Sequence, residues 1–176
     1  MTLAQAYFLL AGILAVPGVL LLTDGGRAAL KAFPRSKAAA FVLFGAATAW
    51  FLHGLSQMGE ADLAGMPRPA LLGAFGAAGV AAFWVLPDLL AVRGLAGLLL
   101  LTARPVLDAG FGKLPASLAL ATVTYVLIFA ALFFGTAPYL LRDWIGAATK
   151  TPGRARGAGA TLLVVAGVCL GFGFAH

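Results

Sequence analysis

Five stretches of this chain run for 17 or more residues without a single Asp, Glu, Lys or Arg: 6–22, 38–55, 69–86, 116–141 and 158–175. A helix needs about 20 apolar residues to cross roughly 30 Å of hydrocarbon, so each stretch is at or near spanning length. In lipid a backbone must satisfy its own polar groups, and a single apolar segment can do that only as a helix. The expectation is an all-α, polytopic transmembrane helix bundle, one integral membrane domain over residues 1–176.

The make-up of the chain leaves little alternative. Hydrophobic residues account for 62% and charged residues for 10%, against about a quarter charged in a water-soluble domain. Such a chain has too few polar groups to cover a surface in water. The net charge of +6 does not point to nucleic acid, because its cations fall in short segments between apolar runs and form no continuous phosphate-tracking face. Residues 1–22 lack the positive n-region and clear small-residue cleavage site of a signal peptide, and 6–22 reads as a retained first helix.

A sixth span follows from the charges. Between Asp88 and Asp108 the clean apolar stretch is only 94–103, flanked by Arg93 and Arg104. Loop 23–37 carries Arg27, Lys31, Arg35 and Lys37 against Asp24. Loop 142–157 carries Arg142, Lys150, Arg154 and Arg156 against Asp143. Lysine and arginine gather on the cytoplasmic side, so both loops belong there. Loop 56–68, with Glu60, Asp62 and Arg68, suits the other face. An even number of crossings must separate the two basic loops, which requires 89–103 to cross. Six helices then form three consecutive hairpins, with both termini on the non-cytoplasmic side. Pro105 is expected to kink or end the fourth.

The cytoplasmic turns resemble one another. Asp24 and Lys31 stand as far apart as Asp143 and Lys150, each pair followed by a proline and two further cations, and Pro87-Asp88 precedes Arg93. Membrane folds are often built from internal repeats, although loop prolines and flanking charges also arise by convergence. Segment 25–33 reads as a short surface helix. Trp50, Trp84 and Trp144 lie near span ends, where indoles favour the interface. Gly73, Gly76 and Gly79, and the pair Gly167 and Gly171, have the small-residue spacing that lets helices approach. Packing within the chain is the simpler role for them, and a dimer seam the other.

Intramembrane charges usually mark function. Asp88, Arg93, Arg104 and Asp108 cluster about the fourth span. Arg93 and Arg104 project about 20° apart on a helix of 3.6 residues per turn, and Asp108 falls within ion-pair reach of Arg104. A polar, anion-binding stripe facing the bundle interior is one reading, since a guanidinium binds carboxylate or phosphate bidentately. Snorkelling of each arginine to the interface is the simpler one. His53 reads as an interfacial residue. Thr122 and Thr124 can bond across helices or to their own carbonyls.

Chemical motifs are missing from the sequence. There is no phosphate-binding glycine loop, no nucleophile elbow and no paired-histidine metal motif, and Cys169 is the single cysteine beside His53 and His176. No metal or cofactor is expected, and the balance leans away from an enzyme. The expected role is a non-catalytic scaffold or accessory subunit of a membrane assembly. A small transporter or channel with a path along Arg93, Arg104 and Asp108 is the alternative, and a membrane-embedded lipid-processing enzyme the third. Partners to expect are the lipid bilayer and other membrane subunits or further copies of the chain. The Ala-, Gly- and Arg-rich usage suggests a bacterial inner membrane.

Overall fold

The computed structural model describes residues 1–63 and 65–176. Its helices are α1 (Leu3–Leu22), α2 (Asp24–Ala32), α3 (Lys37–Ser56), α4 (Arg68–Val85), α5 (Leu90–Gly110), α6 (Leu118–Thr136), α7 (Tyr139–Ala148) and α8 (Pro152–Ala175), with 3-10 turns at Phe33–Arg35 and Glu60–Leu63. Among the described residues six of these helices are long and apolar enough to cross a membrane: α1, α3, α4, α5, α6 and α8.

Helix starts follow local chemistry. A first-turn N–H has no intrahelical partner, and a Ser or Thr oxygen just ahead of the helix supplies one. Thr2 caps α1 in a reciprocal box with Gln5. Thr23 ends α1 and caps α2 through Gly26 N–H at 3.1 Å. Ser36 caps α3 through Ala39 N–H at 3.2 Å, and Thr151 caps α8 through Arg154 N–H at 3.3 Å. Helix α5 begins differently. Leu89, its N-cap, sits in the left-handed region with φ 58°, a conformation that crowds an L side chain.

Two boundaries differ from the sequence reading. The fourth span does not stop at Pro105: α5 continues to Gly110. Proline removes one hydrogen bond of the ladder, and in a long apolar helix neighbouring groups absorb that loss. Conversely, run 116–141 is two elements. Helix α6 closes at Thr136, Pro138 opens α7 as its N-cap, and α7 carries Tyr139, Arg142 and Trp144. Loop 142–157 is therefore largely helical, and Arg154 and Arg156 lie in the first turns of α8.

The main packing partners are not the two arms of each hairpin. Helix α1 lies along α8, α3 along α5, and α5 along α6; α4 leans on α3. Connectivity can run through three hairpins while the contacts run elsewhere. The reason is visible in α2. Its nine residues extend about 13 Å at 1.5 Å each, more than the 8–10 Å between packed helix axes. The chain leaving α1 is thus carried past the neighbouring slot before α3 begins. Helix α7, ten residues long, does the same between α6 and α8. The two surface helices α2 and α7 touch each other.

Helix α5 contributes to all three apolar clusters: Val106 and Ala109 to one with Tyr7, Leu10, Leu120 and Cys169; Leu90 and Ala91 to one with Ala40 and Ala82; Val92 and Ala96 to one with Ala131 and Phe134. The span with the shortest clean apolar run is the centre of the bundle. Arg93 and Arg104 shorten its apolar run, while its small residues let other helices approach. A Cβ on Gly94 would lie 2.7 Å from Phe44 Cα and 2.8 Å from the Leu43 carbonyl carbon, so α5 rests on the bare backbone of α3. On the other side of the bundle, a Cβ on Gly159 of α8 would meet the Gly18 carbonyl oxygen of α1 at 2.8 Å.

The glycines singled out from spacing behave less uniformly. Gly79 packs on Thr48 and Gly76 comes within ordinary contact of Leu52, while Gly73, Gly167 and Gly171 face open space. Packing within the chain holds for the first two and is corrected for the other three. Spacing alone gives a face, and which face is turned inward depends on the partner helix.

Candidate functional site

The four suspected charges do not converge. Arg104 and Asp108 form the expected i, i+4 pair at 3.9 Å, yet their side chains are 89% and 72% exposed. Both point away from the bundle, which corrects the interior-facing stripe at that end of α5. By helical periodicity they share a face with Gly97 and Leu100, while the buried side of α5 carries Val92, Ala96, Ala103 and Val106. Arg93 is half-buried near the other end of α5, and Asp88 is exposed in the turn before it.

Arg93 lines an open groove of about 460 Å³ between α3, α4 and α5. Its remaining wall is Phe44, Ala47, Thr48, Phe51, Phe75 and neighbouring small or aliphatic residues. The groove exists because α4 and α5 both pack on α3 and diverge from each other beyond their tight connection. Arg93 makes no ion pair among the described residues.

Asp88 lines a second concavity, of about 770 Å³, where the start of α3, the end of α4 and the start of α5 meet. Arg35, Ser36, Lys37, Trp84 and Pro87 line it together with the aromatic rings of Phe41 and Phe83. The ring of Phe83 bridges Phe41 and Phe44, with centroids 6.0 Å and 5.7 Å away.

Six further basic residues lie on or beside α2, α7 and the start of α8. Arg27 is half-buried, donates to the Leu21 carbonyl at 3.3 Å and pairs with Asp24. Arg142 pairs with its neighbour Asp143 at 2.8 Å. Lys31, Lys150, Arg154 and Arg156 are exposed. Trp144 stacks edge-on to Phe134 at 5.4 Å, which fastens α7 to the end of α6. His53 is exposed near the end of α3. Thr122 and Thr124 bond back to Leu118 and Leu120 of their own helix.

Sequence reading missed Tyr7. Its side chain is fully buried, its hydroxyl donates to the Ala116 carbonyl and accepts from Leu120 N–H, and its ring stacks on Phe172 at 5.5 Å. The one signal available was a polar aromatic in the middle of an apolar run, since a buried Tyr O–H has to find a partner.

The fold and its surfaces define an all-helical chain whose six apolar helices suggest a membrane protein. No family model, no curated protein and no solved structure matches it.

Proposed function

We propose that the chain is a non-catalytic subunit of a membrane assembly and that α4 is the helix it presents to its neighbour. One observation carries this reading. Helix α4 has the lowest mean hydropathy of the six candidate spans, yet only 6% of its most apolar stretch is buried, against 39% for α1 and α5. A helix surrounded by lipid is expected to be the more apolar one, as α6 is, with the highest mean hydropathy. The uncovered surface of α4 combines the small Gly73, Ala74, Ala77, Ala78 and Ala81 with the larger Phe75, Val80, Trp84 and Val85. In lipid, where apolar area gives helices no reason to associate, small residues drive contact by letting backbones close up.

In this reading both basic loops face the cytoplasm and both termini the opposite side, which suits the contact between α2 and α7 and the gathering of cations on the inner leaflet. The host membrane that residue usage suggests is a bacterial inner membrane. A transport path has less support, because the Arg93 groove is walled by apolar side chains and the Arg104–Asp108 pair lies outside it.

The test is site-directed photocrosslinking in native membranes. Cysteines at Ala74, Ala77 and Ala81, in a Cys169→Ala background, carry a short photoreactive group. Positions on α4 are expected to give a discrete adduct, and Val126, exposed on α6, none. Equal labelling of both helices by lipid alone overturns the reading.

A further inference from the structure

The cavity at the shared end of α3, α4 and α5 has a chemistry of its own. Helix α3 starts at Lys37, α4 ends at Val85 and α5 starts at Leu90, so three candidate spans terminate around it. In a bilayer that level is the headgroup region. Its rim carries Arg35 and Lys37, both exposed and without an ion pair among the described residues, against one carboxylate, Asp88. Trp84 and Phe41, 75% and 72% exposed, stand beside these cations. An indole next to a charged rim and above an apolar wall matches the layering of a phospholipid, with phosphate outermost and glycerol and acyl chain beneath.

We propose that this cavity binds the phosphate headgroup of an anionic phospholipid, held by Arg35 and Lys37 and seated against Trp84 and Phe41. Basic pockets between spans are the usual form of such sites. A second copy of this chain is a poor occupant. Of its six acids, Asp24 and Asp143 are already paired, Asp88 belongs to the cavity, and Glu60, Asp62 and Asp108 lie towards the far ends of α3 and α5. A soluble anion would use the cations and leave the exposed Phe41 and Trp84 unexplained.

The cavity is tested by quenching of Trp84 fluorescence with brominated phospholipid. Trp50 and Trp144 are replaced by Phe; should that variant fail to reconstitute, the wild type minus a Trp84→Phe variant reports the same residue. Vesicles of phosphatidylcholine receive a small fraction of brominated phosphatidylglycerol or the same fraction of brominated phosphatidylcholine. Phosphatidylglycerol is expected to quench at about a fivefold lower fraction, the preference conferred by one net positive charge near a membrane surface. Arg35→Gln with Lys37→Gln abolishes the difference, whereas Arg154→Gln with Arg156→Gln keeps it. Inorganic phosphate at matched ionic strength leaves it unchanged. Equal quenching by the two lipids overturns the proposal in the unsubstituted cavity, whatever the variants do. So does a preference that survives loss of both cations, and one that inorganic phosphate erases would assign the cavity to a soluble anion.

Discussion

The Tyr7 hydroxyl accepts a hydrogen bond from the Leu120 N–H at 3.2 Å while donating to the Ala116 carbonyl at 2.6 Å. Helix α6 has no side-chain cap of its own at Ser117, so a residue of α1 more than a hundred positions away satisfies one of its first-turn donors. Removing only the oxygen should leave a buried N–H and a half-buried carbonyl without this partner. Tyr7→Phe is expected to destabilise by about 1–2 kcal/mol, read as a fall in thermal midpoint in detergent. Tyr125→Phe, at an exposed position on α6, should leave the midpoint where it was.

Gly94 sets the distance between α3 and α5. A methyl group there meets backbone atoms of Leu43 and Phe44, which cannot rotate away as a side chain would. Gly94→Ala should destabilise by about 1–3 kcal/mol. Gly45→Ala, on α3 with nothing near the added carbon, should be neutral or slightly stabilising, because alanine favours helix over glycine. Chemical unfolding of the two variants side by side checks both.

The Arg104–Asp108 pair should be dispensable for folding. Its partners are 3.9 Å apart and largely exposed, and exposed pairs of this kind contribute little. Arg104→Gln and Asp108→Asn, singly and together, are expected to express and unfold as the parent does. A marked loss in the single variants that the double variant restores would show the pair to be structural.

Orientation can be read by cysteine labelling in sealed vesicles. With Cys169 replaced by Ala, Lys31→Cys and Arg154→Cys should react with an impermeant maleimide from the same side, and Asp62→Cys from the other. Reaction of positions 31 and 154 from opposite sides would remove the argument from positive charge.

Most of the spans could be read from hydropathy because lipid imposes one rule on every helix it surrounds. The ends of α1, α3 and α4 fall within a few residues of their apolar runs. Two kinds of information were not in the pattern. The break at Ala137–Pro138 lies inside an uncharged run, so composition could not separate α6 from α7. Which helices pack depends on face rather than composition, and Gly94 shows the difference: nothing in its local spacing sets it apart, yet it makes a closer approach than Gly73 or Gly167. Among the charges, spacing gave the Arg104–Asp108 pair, but it could not give the side of α5 on which that pair lies. The meeting of Arg35 and Lys37 with Asp88 joins segments about fifty residues apart and needed the fold.

The embrace of α1 by α8 has a temporal meaning. Roughly 130 residues separate the end of the one from the start of the other, which a ribosome adding 5–20 residues each second takes on the order of ten seconds to make. If α1 enters the bilayer as it emerges, its small-residue face, Gly18 included, stands throughout that interval without the counterpart that α8 supplies. Any factor that shields nascent membrane segments would find its longest-lived client at the beginning of this chain, and a stalled translation product would be marked by that same unfilled seam.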